Sequence, residues 1–533
     1  MTKLITKKLA FNTAEQFKES FSENDPTIAY VFLGNHVPYA NESSPDSIVD
    51  TSYSEKEIWD NVFAAKRVTG NDVHLVVPRV NWTSNTKYRQ YDDTIGIETL
   101  LSANSTQNLK PMYIITTDRN VYLCVSNNAS ANSTVEPTGD YTTSNGNIGT
   151  ADGYVWKYLF NVKPSNKFLN SSWMPTPVSS AALDYGINST GIVDGELTSI
   201  VVTSKGQNYR QSSTIRVDGF NSSQSTIRLS NTANVLSIFN IPSLANLANM
   251  SISGTGISAD VYISSISNVT GVITLSEATT GSGGNANNIT IATRVYIAGD
   301  GIGVAANATI SNTLVGVDSS LANISKVTVD TIGTGYTRAN AFIFGSGSGA
   351  NARVILPPKF GHGFNPAKEL GANNVMVSVR IGEIDSTEGG KISIDTSFRQ
   401  YGLLRSPYKY GSSNVANTST ANSVISQTTD LDVVAGFPYA LNEYVYQSSL
   451  DNPTAYGFVH AQTSNKVRIS KAKGTFTTGL PLIGLTSGRS RTVTGVANPE
   501  FEPYSGDILY VENTTKVDRA DGQAENIRLI ISF

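Results

Sequence analysis

Residues Leu197–Arg210 read LTSIVVTSKGQNYR, and residues Ile324–Thr337 read ISKVTVDTIGTGYT. Laid over one another, apolar residues coincide at Leu197/Ile324, Ile200/Val327 and Val202/Val329, and the pairs Gly206/Gly333 and Tyr209/Tyr336 fall in register. Apolar residues at period two, then a glycine and a Tyr, make a strand pattern and not a helical one. Each copy is expected to be a strand, a glycine-centred turn with the Tyr packed back over it, and a returning strand, Thr214–Val217 or Ala341–Phe344. That gives two hairpin repeats, 197–219 and 324–350. Two copies are too few for a solenoid, so they bracket other β structure.

Period-two runs recur at His74–Val77, Met112–Thr116, Val121–Val125 and Tyr154–Val162. Further short runs, Glu443–Gln447, Tyr456–Ala461, Lys466–Ser470 and Leu482–Leu485, follow a Ser/Thr/Asn-rich linker candidate, Ser412–Thr429, and fit a small barrel or sandwich. The loop Thr279–Asn288 is rich in Gly and Asn. Helix signals lie near the start. Thr13–Phe21 is one candidate, and the capping-box pattern Ser54–Glu57 with Ile58, Trp59, Val62 and Phe63 behind it predicts a short helix ending near Gly70. The fold class is mainly β, α+β at the N-terminus, with antiparallel sheets or sandwiches, a few short helices and inserted barrel-like modules. A chain of 533 residues exceeds a single core, so three or four domains are expected.

Composition narrows the function classes. With 39 Lys+Arg against 43 Asp+Glu, bulk positive charge does not hold nucleic acid. No apolar run reaches membrane-span length. Met1–Ala10 carries Lys3, Lys7 and Lys8 without an apolar h-region, so synthesis in a cytosol is expected. The one cysteine, Cys124, reads as a small buried hydrophobe.

Motifs for chemistry are sparse. His36, His74, His362 and His460 form no H-E-x-x-H or other close ligand spacing, and a structural role is expected for each. Gly254–Ala259 and Gly345–Ala350 match a loose dinucleotide pattern, but strand-like residues follow the glycines, so turns are expected. The Asp/Gly-rich stretch from Ala298 to Gly303 lacks the ligand density of a calcium loop and reads as solvated loop. No catalytic residue, metal or cofactor is assigned.

The most specific segments lie toward the two ends. Arg79, Trp82, Thr83 and Tyr88 precede Asp152-Gly153-Tyr154-Val155-Trp156-Lys157-Tyr158-Leu159-Phe160. Then come Phe398-Arg399-Gln400 leading to Pro407, and Tyr510-Val-Glu512-Asn513 followed by Arg519, Gln523, Glu525 and the terminal Phe533. In this order they resemble the baseplate wedge protein of T-even-type contractile-tailed phages, the family called gene product eight. The resemblance covers about Met1–Met174, Phe360–Pro407 and Ser505–Phe533; Lys516-Val517 and Gly522 depart from it.

That resemblance implies a non-enzymatic virion protein of the tail baseplate, a homodimer that docks neighbouring wedge proteins without nucleic acid or membrane. Its domains would be 1–179 as wedge-family core, 180–357 as an inserted β domain, 358–411 plus 504–533 as the rest of the core, and 412–503 as an inserted barrel-like module. Tail fibres and host-surface glycans are the candidate partners of the inserts. The alternative is a tail adhesin or depolymerase acting on surface polysaccharide, with a carboxylate pair hidden in the fold.

From the residues alone, Tyr154, Trp156, Tyr158 and Phe160 should share one face of a strand, with Val155, Lys157 and Leu159 on the other. Such an aromatic face needs burial, with the core favoured over a partner. Arg79, Trp82 and Tyr88 would form a cation–π or hydrogen-bonded corner, or a plain loop anchor.

Overall fold

The computed structural model describes residues 6–178, 185, 191–210, 212–284, 288–311, 322–382, 391–393, 396–417, 424–520 and 522–533. The chain is mainly β, with antiparallel sheets, a few short helices and one closed six-stranded barrel. It forms two compact units, 1–77 with 167–176 and 372–533, and 78–166 with 177–371.

In the first unit a helix, Lys7–Glu19, buries Phe11 and Ala14. A second helix runs over Ser52–Asn61 and starts at Thr51, whose side chain accepts the Ser54 amide, so the cap lies three residues before the expected Ser54. It also ends well before Gly70. Val62–Val68 is a strand buried almost throughout, paired with Ala29–Gly34. The helical spacing of Val62 and Phe63 is overridden because a central strand must bury both of its faces.

The five-stranded sheet of this unit runs in the order Val424–Ser426, Val62–Val68, Ala29–Gly34, Thr396–Arg405, Asp507–Arg519. Val424–Ser426 falls inside the stretch expected to be a linker, yet it pairs with Ala64–Lys66; residues 418–423 of that stretch lie outside the described residues. A four-stranded sheet orders Trp173–Pro175, Val73–Pro78, Asn374–Ile381, Glu525–Ser532. The barrel closes through Thr429–Val433, Lys466–Gly474, Pro453–Gln462, Tyr444–Ser448, Pro481–Gly484 and Ser490–Ala497 around Leu431, Val445, Val459, Val467, Ile469 and Val493.

In the second unit, Tyr113–Ile115, Asn120–Ser126, Val155–Asn161 and Asn147–Gly149 form a four-stranded sheet. The repeat lies in six further strands: β1 (Ser199–Gln207), β2 (Arg294–Gly299), β3 (Ile302–Ser311), β4 (Asn323–Thr334), β5 (Ala339–Phe344) and β6 (Ser348–Ile355). The expected hairpins do not form. Thr214–Arg216 pairs with Asn288–Thr290, whereas β1 pairs with β6, β4 with β3 and β5 with β2.

The pairing reveals a larger repeat than the sequence comparison found. Gly299-Asp-Gly301-Ile-Gly303 matches Gly345-Ser-Gly347-Ser-Gly349, so β1, β2 and β3 correspond to β4, β5 and β6. These three pairings join strands of different copies, while a single position, Ala341↔Ala352, also links β5 to β6 within copy two. The registers of the two crossed ladders correspond residue for residue. Ser199↔Ile355 is matched by Lys326↔Thr309, and Gln207↔Ser348 by Thr334↔Ile302. Both ladders skip one residue at the same point, Thr203 and Asp330, which makes a β-bulge in each. Tyr296 pairs with Phe342, its own counterpart, so a two-fold relation passes between them. Copy two is continuous. Copy one is interrupted after Arg210 by a module with two three-stranded sheets and a separate core that includes Phe220, Phe239, Met250 and Ile273. The loop Thr279–Asn288 belongs to this module, and 285–287 of it lie outside the described residues.

Candidate functional site

In the second unit, the first two segments of the resemblance meet at one corner. Asp152 accepts from the amides of Thr134 at 2.7 Å and Val135 at 3.0 Å, from Ser133 Oγ at 3.2 Å, from the Tyr154 amide at 3.2 Å, and from Thr150 Oγ1. Burial alone would raise this carboxyl, but hydrogen bonds from Thr150, Thr134, Val135 and Tyr154 outweigh it and hold the group below the usual carboxylate range. Gly153 has φ +84°, and a Cβ there would meet the Asn128 amide at 2.7 Å, the same amide that donates to Asp152 O.

Ser133 ties this turn to the earlier segment, because Trp82 Nε1 donates to its hydroxyl at 3.1 Å. Tyr88 OH accepts the Thr83 amide at 2.7 Å, donates to Thr83 O at 3.2 Å, and is pushed by burial up to about 12. Its ring meets Trp156 edge-on at 5.3 Å, and Trp156 stacks on Tyr154 at 5.5 Å. Arg79 Nε donates to Asn81 Oδ1 at 2.8 Å. Trp82 and Tyr88 therefore act as hydrogen-bonded loop anchors. Cys124 packs in the same cluster, and burial pushes its thiol well up.

The aromatic face is buried in the core, with one correction. Tyr122 pairs with Tyr158 while the adjacent Val121 pairs with Phe160, so a bulge at Leu159 turns Phe160 to the face opposite Tyr154, Trp156 and Tyr158. On the far side, Lys157 is also buried. Its Nζ lies 2.8 Å from Glu196 and donates to Asn145 O at 2.9 Å and Gly191 O at 3.0 Å. Sequence reasoning missed this pair; a lysine in the middle of a seven-residue apolar strand was the available signal.

In the first unit the later segments converge on the five-stranded sheet. Phe398 is buried, and Arg399 beside it donates to Glu42 at 2.8 Å and to His36 O at 2.8 Å. Gln400 Nε2 donates to Asn513 Oδ1 at 2.8 Å, and Asn513 Nδ2 to Asp46 O at 2.8 Å. Tyr510 OH donates to Glu512 at 2.7 Å. Arg519 and Glu525 form a buried ion pair at 2.6 Å, with Arg519 also donating to Ser393 O and Gly382 O. Burial raises the Glu525 carboxyl despite that guanidinium. Gln523 closes the intervening turn through its amide to Ala520 O, beside Gly522 at φ +77°. Phe533 packs against Phe17 at 5.3 Å.

Gln400 and Asn513 line a polar cleft of about 310 Å³ with Asn35, Tyr39, Glu57 and Lys471. A larger cleft in the second unit, about 410 Å³, is lined by Ser126, Asn145, Asn147, Lys326, Thr328 and Asp330. The histidines are all placed in packed surroundings. His36 bonds Asn442 and Ser470, His460 stacks on Phe63 at 4.2 Å, His74 bonds Leu75 O and His362 pairs with Glu369. Chemically, the resemblance residues hold loops to sheets: they cap turns, pin chain crossings and neutralise buried charges.

Neither a model of a known protein family nor a curated protein matches this chain.

Proposed function

We propose that this chain is a structural virion protein, a baseplate wedge subunit of a contractile phage tail that serves as an assembly scaffold through protein–protein contacts. The observation that carries the reading is how the resemblance residues are used. Asp152 and Trp82 meet at Ser133, and Gln400 bonds Asn513, so each contact joins segments far apart in sequence, while Arg519 and Glu525 form a buried ion pair across the closing turn. Residues spent on rigidity are what a scaffold needs, since preformed surfaces bind without an ordering cost. In this reading the chain works as a homodimer beside neighbouring wedge proteins and does no chemistry of its own.

Immunogold electron microscopy on contractile-tailed virions that contain the chain tests this. Gold at the baseplate is the expected result. Gold along tail fibres, or on no part of the particle, overturns it.

A further inference from the structure

Next to the two-fold relation of the repeat, the outer face of β2 and β5 carries a row of aromatic rings that no core covers. Tyr296 and Phe342 lie directly opposite each other and are 43% and 46% exposed. Their rings are near-parallel at 6.3 Å, and Phe342 continues the row to Phe344 at 6.4 Å with planes 12° apart. Arg294 sits opposite Phe344, so three rings and one guanidinium mark four neighbouring positions on two strands.

That guanidinium is held between two rings, 4.0 Å from the Tyr262 ring and 4.9 Å from that of Tyr296. The two cation–π contacts hold the group in place and leave its N–H donors available for hydrogen bonds. Among the described residues no carboxylate or other acceptor takes those donors. Asn340, exposed on the same strand two residues from Phe342, adds an amide beside the row.

We propose that this surface binds an acidic polysaccharide, with a uronic acid residue as the unit recognised. The fork of Arg294 pairs with the sugar carboxylate, as guanidinium groups do with planar anions. The apolar C–H face of the pyranose lies on Tyr296 and Phe342, whose rings are large, rigid and apolar on their faces. Neighbouring sugars extend along the row toward Phe344, and Asn340 takes hydroxyl groups. The unpaired cation decides between sugar classes, since a neutral glycan would leave it without a partner. The proposal does not rest on the scaffold reading, because binding to purified polysaccharide is measured without any particle.

The test uses the full chain on immobilised alginate, polygalacturonate and hyaluronate, with dextran as the neutral reference. Retention on at least one acidic polymer, weakened by salt and absent on dextran, is expected. Arg294→Ala should weaken it at least about tenfold, Arg294→Lys should restore only part, and Tyr296→Ala with Phe342→Ala should abolish it. These side chains lie at the surface, so an unchanged thermal melt shows that the variants are folded. No retention on any acidic polymer overturns the proposal. So does equal retention of the variants, or loss of acidic binding that is matched on dextran; the row would then belong to a protein partner.

Discussion

The rings of Tyr209 and Tyr336 occupy equivalent seats, each lying over one glycine of its own copy and two of the other. A Cβ placed on Gly206, Gly345 or Gly347 would meet the Tyr209 ring at 2.8, 2.7 and 2.6 Å. On Gly333, Gly299 or Gly301 it would meet Tyr336 at 2.9, 2.8 and 2.5 Å. Gly206 and Gly333 also share φ near +60°. The strand exchange between copies explains the arrangement: β6 brings its leading glycines to the Tyr that follows β1, and β3 brings its own to the Tyr that follows β4.

Crowding these seats should therefore destabilise the unit. Gly347→Ala and Gly301→Ala are each expected to cost about 1–3 kcal/mol through overpacking. Tyr336→Ala should cost about 3–5 kcal/mol by leaving a cavity. Gly149→Ala, where a Cβ meets nothing within 4 Å, should stay within about 0.5 kcal/mol. Urea denaturation of the full chain reads all four, and equal effects at Gly347 and Gly149 would contradict the seating argument.

Copy two shows how copy one would run without its interruption. Thr337 and Arg338 link Tyr336 to Ala339, and removing 212–292 leaves Arg210 and Gln211 to link Tyr209 to Thr293, the counterpart of Ala339, over the same length. The module has its own core, and its first and last strands pair with each other, Ser213 opposite Ile291. The deletion should fold with the rest of the chain intact, as read by hydrogen exchange at the β3 and β4 amides. Loss of protection there would show that the module is part of the symmetric core.

Acid should weaken the first unit through three histidines, of which His74 is pushed by burial down to about 4. Burial pushes His36 down to about 4 against the hydrogen bond that its Nδ1 gives to Asn442 Oδ1, and Lys471 and Arg399 add to the fall. Burial first, then His36 and Arg468, lowers His460, whose Nδ1 has no partner among the described residues. A depressed folded-state pKa means full stability above about pH 6.5 and progressive loss as pH falls toward 4, about 3 kcal/mol from His36 alone. Urea midpoints between pH 7 and 4 should show that slope, and His460→Leu should flatten it. An unchanged slope in the variant would rule out His460 as a contributor.

Removing one member of the Lys157–Glu196 pair strands a buried charge. Lys157→Met or Glu196→Gln is expected to cost about 3–5 kcal/mol, whereas Lys157→Met with Glu196→Leu should recover much of the loss. A double-mutant cycle by denaturation measures the coupling, and additive single effects would show that the two charges do not depend on each other.

Under the scaffold proposal the chain runs as a dimer in light scattering after size exclusion. A trimer would favour a fibre-type adhesin instead.

The β character was legible wherever the signal is local. The period-two runs at Val121–Val125 and Tyr154–Val162, and the pairing of Gly206 with Gly333, need only neighbouring residues to be read. The buried corner around Asp152 was legible as a set of residues, not as contacts. Ser133, which joins Trp82 to Asp152, stands 51 positions from Trp82 in the chain, and no spacing marks it.

Alternation and backbone freedom act within a few residues, which is why the dominance of strands, the likeness of the two repeat segments and the placing of their tyrosines after glycines could be read without the fold. Tertiary structure alone decided which strands pair. It exchanged partners between the copies, ended the helix at Asn61, turned Phe160 to the other face and brought Lys157 to Glu196. The physical reason is that pairing register, bulges and the matching of buried charge depend on surfaces far apart in the chain. Their free energy appears only when those surfaces leave water together.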